Sequence, residues 1–127
     1  MAPDGILMDS PGFAEPPGIV VLCTCPDPAV ALELARTLVR EGLVACVNCV
    51  PGVQSIYRWE GRICEDREQL LVMKTTPGRY EALEMRLKTL HPYEIPEIIA
   101  LPVVAGSRQY LDWLGNATTA GRAPSTE

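Results

Sequence analysis

The sequence predicts an α+β fold, a ferredoxin-like βαββαβ sandwich with an extra C-terminal helix and a long hairpin between its second and third strands. Three observations carry the prediction. Apolar segments of strand and helix period follow in the order strand, helix, strand, strand, helix, strand. Prolines fall at the joints: Pro26 and Pro28, then Pro77, then Pro92 and Pro96. A chain of 127 residues, 47% of them hydrophobic, suits one domain with one core.

Ile19-Val-Val-Leu-Cys-Thr-Cys25 is a continuous apolar run, as expected of a central strand covered on both faces. Pro26-Asp27-Pro28 ends it. Asp27 can cap the next helix, and Pro28 suits that helix's first position. Val30, Leu34 and Leu38, flanked by Ala31 and Ala35, make one helix face. Gly42 is placed to end the helix in the left-handed conformation. Leu43 to Val50 reads as a strand. Pro51-Gly52 should bend or bulge it, since proline has no N–H for the ladder, and it continues from Val53 to Glu60. Ser55, Tyr57 and Trp59 share one face, Gln54, Ile56 and Arg58 the other. Gly61 marks the turn. The return strand starts with a charged, solvated part, Glu65 to Glu68, and ends in a buried part, Gln69 to Thr76. Thr76-Pro77 opens the second helix by the same cap-then-proline logic, with Tyr80, Leu83, Leu87 and Leu90 as its apolar stripe. The last main strand is Ile98 to Val104. Ser107 then caps a short helix whose Tyr110, Leu111, Trp113 and Leu114 dock on the core. The folded domain is expected over residues 19–116, between disordered tails at 1–18 and 117–127.

Net charge is −5 and no basic cluster appears, so nucleic acid is not an expected partner. No apolar run reaches the ~20 residues of a membrane span. Residues 1–18 carry Asp4, Asp9 and Glu15 with no Lys or Arg, unlike a signal peptide. The expected location is cytoplasmic. Five cysteines, an odd number in strand-like contexts, fit reduced thiols. The long hairpin leaves an edge that assembly with further copies would cover.

Chemistry gathers at Leu90-His-Pro-Tyr-Glu-Ile-Pro-Glu97, which holds the chain's single histidine. Each proline fixes its own φ and pushes the residue before it out of the α region. His91 and Ile95 should therefore be extended, and the helix must stop at Leu90. In this topology the first and last strands are antiparallel neighbours, which brings Cys23 and Cys25 toward His91 and Glu97. Cys23, His91 and Glu97 offer one sulfur, one nitrogen and one oxygen. That mixture suits copper or zinc rather than magnesium or calcium. Three mixed ligands near a surface predict weak, exchangeable binding. The plainer alternative is a core cysteine and a histidine that caps carbonyls in a rigid connection.

Cys46 and Cys49 lie in a strand pattern that points them to opposite faces, so they cannot share an ion without distortion. Cys64, near the hairpin tip, reads as an exposed bystander. A nucleophilic Cys23 with His91 as base would require an accessible thiol of lowered pKa. With no evident oxyanion hole, the chain is not expected to be an enzyme. In a further reading, Lys74, Tyr93 and Glu97 line a cleft between subunits that takes a small anion or a partner, with metal incidental.

Val21-Leu-Cys-Thr, Leu43-Val-Ala-Cys-Val-Asn48, Ser55-Ile-Tyr-Arg-Trp-Glu-Gly61, Lys74-Thr-Thr and His91-Pro-Tyr-Glu-Ile-Pro-Glu97 stand in one order and spacing. Together they resemble the CutA family of divalent-cation tolerance proteins, over about Ile19 to Asn116. The resemblance implies a homotrimer with hairpins pairing across subunits, tolerance to copper and other divalent ions, and a likeness to PII-type trimeric signalling proteins. Carried over by position, it implies Cys23, His91 and Glu97 as copper ligands. Some members have a second histidine just before the His-Pro pair, where this chain has Leu90. Cys25 is not a general feature of the family.

Overall fold

The computed structural model describes residues 15–119. Most of the two expected tails lies outside that range. The elements are β1 (Ile19–Cys25), α1 (Pro28–Arg40), β2 (Cys46–Trp59), β3 (Arg62–Thr75), α2 (Tyr80–Leu90), β4 (Ile99–Pro102) and α3 (Arg108–Ala117). The strands form one antiparallel sheet in the order β2-β3-β1-β4. This is the ferredoxin-like arrangement, with β1 central between β3 and β4.

Local chemistry explains the ends of the elements. The Asp27 carboxylate accepts the Val30 N–H at 2.9 Å and starts α1. Gly42, at φ 72°, closes α1 in the left-handed conformation. The Leu43 N–H then donates back to the Leu38 carbonyl at 3.1 Å, a Schellman closure. That closure occupies Leu43, which is why β2 begins at Cys46 and not at Leu43 as expected. Pairing of β2 with β3 shifts register between Val50 and Val53, the predicted bulge, with Gly52 at φ 71°. Ser107 caps α3 through the Tyr110 N–H at 3.1 Å.

Three other expectations need correction. Thr76 makes no side-chain cap; a 3-10 turn, Pro77–Arg79, precedes α2. The Thr76 hydroxyl lies instead 3.3 Å from that of Thr118. β4 is shorter than expected, because Ile98 and Val103 fall outside the ladder with β1. On α3 only Leu114 is buried, while Tyr110 and Trp113 stay exposed.

The core lies between one face of the sheet and the helices. Ile19, Val21, Cys23 and Cys25 of β1 meet Leu71 and Met73 of β3, Ala31, Leu34 and Leu38 of α1, and Leu83 and Leu87 of α2. The alternate residues of β1, Val20 and Leu22, are only half-buried. In register they stand beside Leu101 and Ile99 of β4, both about half exposed, at 49% and 51%. The run that read as covered on both faces is thus covered on one within a single chain.

Candidate metal centre

The prolines of the linker decide where the histidine goes. The His91 N–H closes the last turn of α2 on the Leu87 carbonyl at 2.8 Å. At ψ 139° the backbone then turns extended, as Pro92 requires. This throws the imidazole across to the end of β1, where it is buried. Nε2 lies 2.7 Å from the Thr24 carbonyl. Nδ1 accepts the Tyr93 N–H at 3.1 Å. A carbonyl only accepts and an amide only donates, so the ring carries its proton on Nε2. The Tyr93 ring packs on the imidazole with centroids 4.8 Å apart.

The period-two alternation of β1 puts Cys23 and Cys25 on the same, helix-facing side. Neither side chain is exposed. Cys25 Sγ is 3.9 Å from His91 Nε2. The ligand atoms of Cys23, Cys25 and His91 all lie within 4.8 Å of one another. An ion about 2.3 Å from sulfur and about 2.0–2.1 Å from nitrogen holds those two atoms roughly 3.6–3.8 Å apart at tetrahedral to trigonal angles. The Cys25–His91 pair comes close to that spacing, and the Cys23 sulfur lies within 4.8 Å of both.

The electrostatics lean the same way. A hydrogen bond from Cys23 lowers the Cys25 pKa, burial opposes this, and His91 lowers it further. The Cys23 pKa is pushed up by that same bond, by burial, and by the negative charges of Cys25, Glu97 and Glu68. Burial lowers the His91 pKa, but its bonds to Cys25 and Thr24 and the nearby anions raise it by more. Glu68 is itself buried and accepts the Tyr93 hydroxyl at 2.6 Å. Burial and this bond push the Tyr93 phenol up. The groups around the imidazole thus favour positive charge on it.

Cys23 and His91 therefore meet, and Cys25 joins them. Glu97 is exposed and stands outside the three-atom cluster, although its charge is felt at Cys23. Leu90 packs against the core. Cys49 packs on the core beside Val47, whereas Cys46 faces Lys74 on the other side of the sheet. Cys64 is half-buried. Cys23 meets neither condition of a nucleophile, being inaccessible and raised in pKa. Lys74 pairs across from Val20, near the start of β1, while Tyr93 attends its other end, so one chain does not bring them together. Sequence reasoning missed Glu68. It closes the charged run that read as solvated, and nothing in the run distinguishes it from Glu65 or Asp66.

Fold and pocket together define a small α+β protein with a buried sulfur-and-imidazole donor set at the end of its central strand. Residues 19–117 match the family model for the CutA1 divalent ion tolerance protein, and the chain belongs to that family. It is 54% identical over 99 residues to the divalent-cation tolerance protein CutA of Thermus thermophilus, covering 78% of this chain and 96% of that one. It is 46% identical to the chloroplastic CutA protein of Arabidopsis thaliana, covering 80% of this chain and 56% of that longer one. Among solved structures, CutA1 from Oryza sativa superposes with a TM-score of 0.80 at 43% identity, covering 84% of this chain and 98% of that one. A protein of Archaeoglobus fulgidus described as periplasmic superposes at 0.78 with 29% identity, covering 80% of this chain and 99% of that one.

Proposed function

We propose that this chain serves divalent-cation tolerance by binding copper, or a similar ion such as zinc, weakly and reversibly where β1 ends against the His91 linker. The convergence of the Cys23, Cys25 and His91 ligand atoms within 4.8 Å carries this reading. Cys23 and His91 hold the ion from inside, and the exposed Glu97, outside the cluster, contributes only its negative charge. The sulfur must lose its proton to bind, so affinity rises with pH. The ion is cargo, and no step of the reading is catalytic.

Assembly as a homotrimer belongs to the same reading. It is supported by exposed apolar surface on the hairpin, where Ile56 and Ile63 are 65% and 68% exposed, and by the half-covered sheet face at Leu101 and Ile99. Monomers rarely leave contiguous apolar patches of this kind bare. A reducing, cytoplasmic setting suits five free cysteines. Among the described residues no helix is long and apolar enough to cross a membrane.

Calorimetric titration with zinc, which is redox-silent, and with copper tests the site. Cys23→Ser and His91→Ala should each weaken binding at least about tenfold, or ~1.4 kcal/mol, without changing the mass of the assembly. Unchanged affinity in both variants would remove the reading.

A further inference from the structure

We propose that Cys25 is a metal ligand in its own right, so that the site of this chain holds two sulfurs and one nitrogen and takes thiophilic cations, cuprous copper and cadmium among them, ahead of harder divalent ions. The proposal rests on the reading that the pocket binds metal, and it names the class of ion.

Three observations carry it. First, the Cys25 Sγ to His91 Nε2 separation of 3.9 Å is close to the spacing of two ligands on one ion. Second, the central strand fixes both sulfurs in advance: Cys23 pairs with Leu71 and Cys25 with Gln69 in β3. Third, the three donors lie buried together, while the Glu97 carboxylate stays exposed and the buried Glu68 carboxylate is engaged by the Tyr93 hydroxyl. A donor set rich in thiolate and poor in oxygen selects soft ions.

The histidine adds a consequence. Its Nε2 proton now faces the Thr24 carbonyl, and its Nδ1 accepts from the Tyr93 N–H. When Nε2 takes the ion, the ring proton has to move to Nδ1, where the Tyr93 N–H already points. Loading therefore breaks both bonds. The protons released are those of the two thiols; the ring keeps its own. The linker from His91 to Glu97 is thereby coupled to the occupancy of the site.

The test is titration of the full chain with cadmium under reducing, oxygen-free conditions, with manganese as the hard-ion control. The thiolate-to-cadmium ultraviolet absorption counts sulfurs. The parent should exceed Cys25→Ser and Cys25→Ala by one thiolate per chain, both variants should bind at least tenfold more weakly, and Glu97→Gln should stay within twofold of the parent. The Tyr93 amide resonance should shift on loading in the parent. X-ray absorption of the cadmium-loaded parent, which needs no variant to fold, should find two sulfur neighbours. One sulfur neighbour, or parent-like binding in both Cys25 variants while Cys23→Ser is impaired, overturns the role of Cys25 and leaves the proposed function standing. A loss in Glu97→Gln equal to that in Cys25→Ser overturns the oxygen-poor donor set. A parent that binds neither zinc, copper nor cadmium sinks both proposals.

Discussion

The end of β1 and the distal half of the β2–β3 hairpin break the same rule in opposite directions. At the end of β1, two thiols, an imidazole and a carboxylate are held inside the protein. Along the hairpin, Ile56, Tyr57, Trp59 and Ile63 are left outside. Buried polar groups and exposed apolar clusters are the informative exceptions to ordinary partitioning. The two regions also differ in what holds them. The pocket is set by a helix end, a central strand and a stiff linker, whereas the distal hairpin is held by its own ladder and by pairs such as Tyr57 with Asp66. In the reading proposed above, the first region takes an ion and the second meets another copy of the chain.

The largest expected effect lies on the hairpin. Ile56 pairs with Glu65 and Ile63 with Arg58, which places both isoleucines on one face. Replacing both with Asp puts two charges into the proposed subunit contact. Light scattering should then read the mass of one chain where the parent reads three. A retained trimer would move the contact to the open sheet face.

Next in size is the buried hydrogen bond beside the pocket. Tyr93→Phe leaves the Glu68 carboxylate without the hydroxyl that donates to it. An unsatisfied buried group costs about 1–3 kcal/mol, and a charged one more. Urea denaturation should show a loss of that size. A loss near zero would mean that water already reaches Glu68, and the pocket would then be less enclosed than the hairpin contrast requires.

The smallest effect belongs to an ordinary surface contact, which sets the scale for the other two. Arg86 on α2 donates to both carboxylate oxygens of Glu41, just past the end of α1, at 2.8 Å each. Both side chains are about a third exposed, at 37% and 35%, so Arg86→Ala should cost roughly 0.2–1 kcal/mol. The bond from Arg86 lowers the Glu41 pKa below its usual 4.5. A depressed carboxyl stabilises the fold above its unfolded pKa and loses that contribution as pH falls through the folded one. The gap between parent and variant should therefore be full near neutral pH and close below 4.5. A gap that persists in acid would mean that packing of the Arg86 stem, not charge, holds the helices together.

The features legible in the sequence were those decided within a few residues. Pro92 forced His91 out of the helix, Asp27 and Ser107 capped, Gly42 closed a helix, and Pro51-Gly52 bulged a strand. Each depends on the reach of one side chain or on the φ angle of one residue. The order of such signals was enough to fix the topology, and the topology put Cys23 near His91. Glu68 lay beyond that kind of reading. Its burial depends on Tyr93, 25 residues further along, folding over it.

What the chain determines by itself is therefore the succession of its elements and the points where they stop, because steric limits and hydrogen bonds along the backbone act locally. Which donors share a pocket was settled by packing between distant segments. Cys25 and His91 are 66 residues apart, and their sulfur-to-nitrogen distance follows from how α2 packs against β1. By sequence Glu97 was the expected ligand, ahead of Cys25. It was left at the surface because the linker turns its carboxylate outward, while the pleat of the strand turns the thiol in.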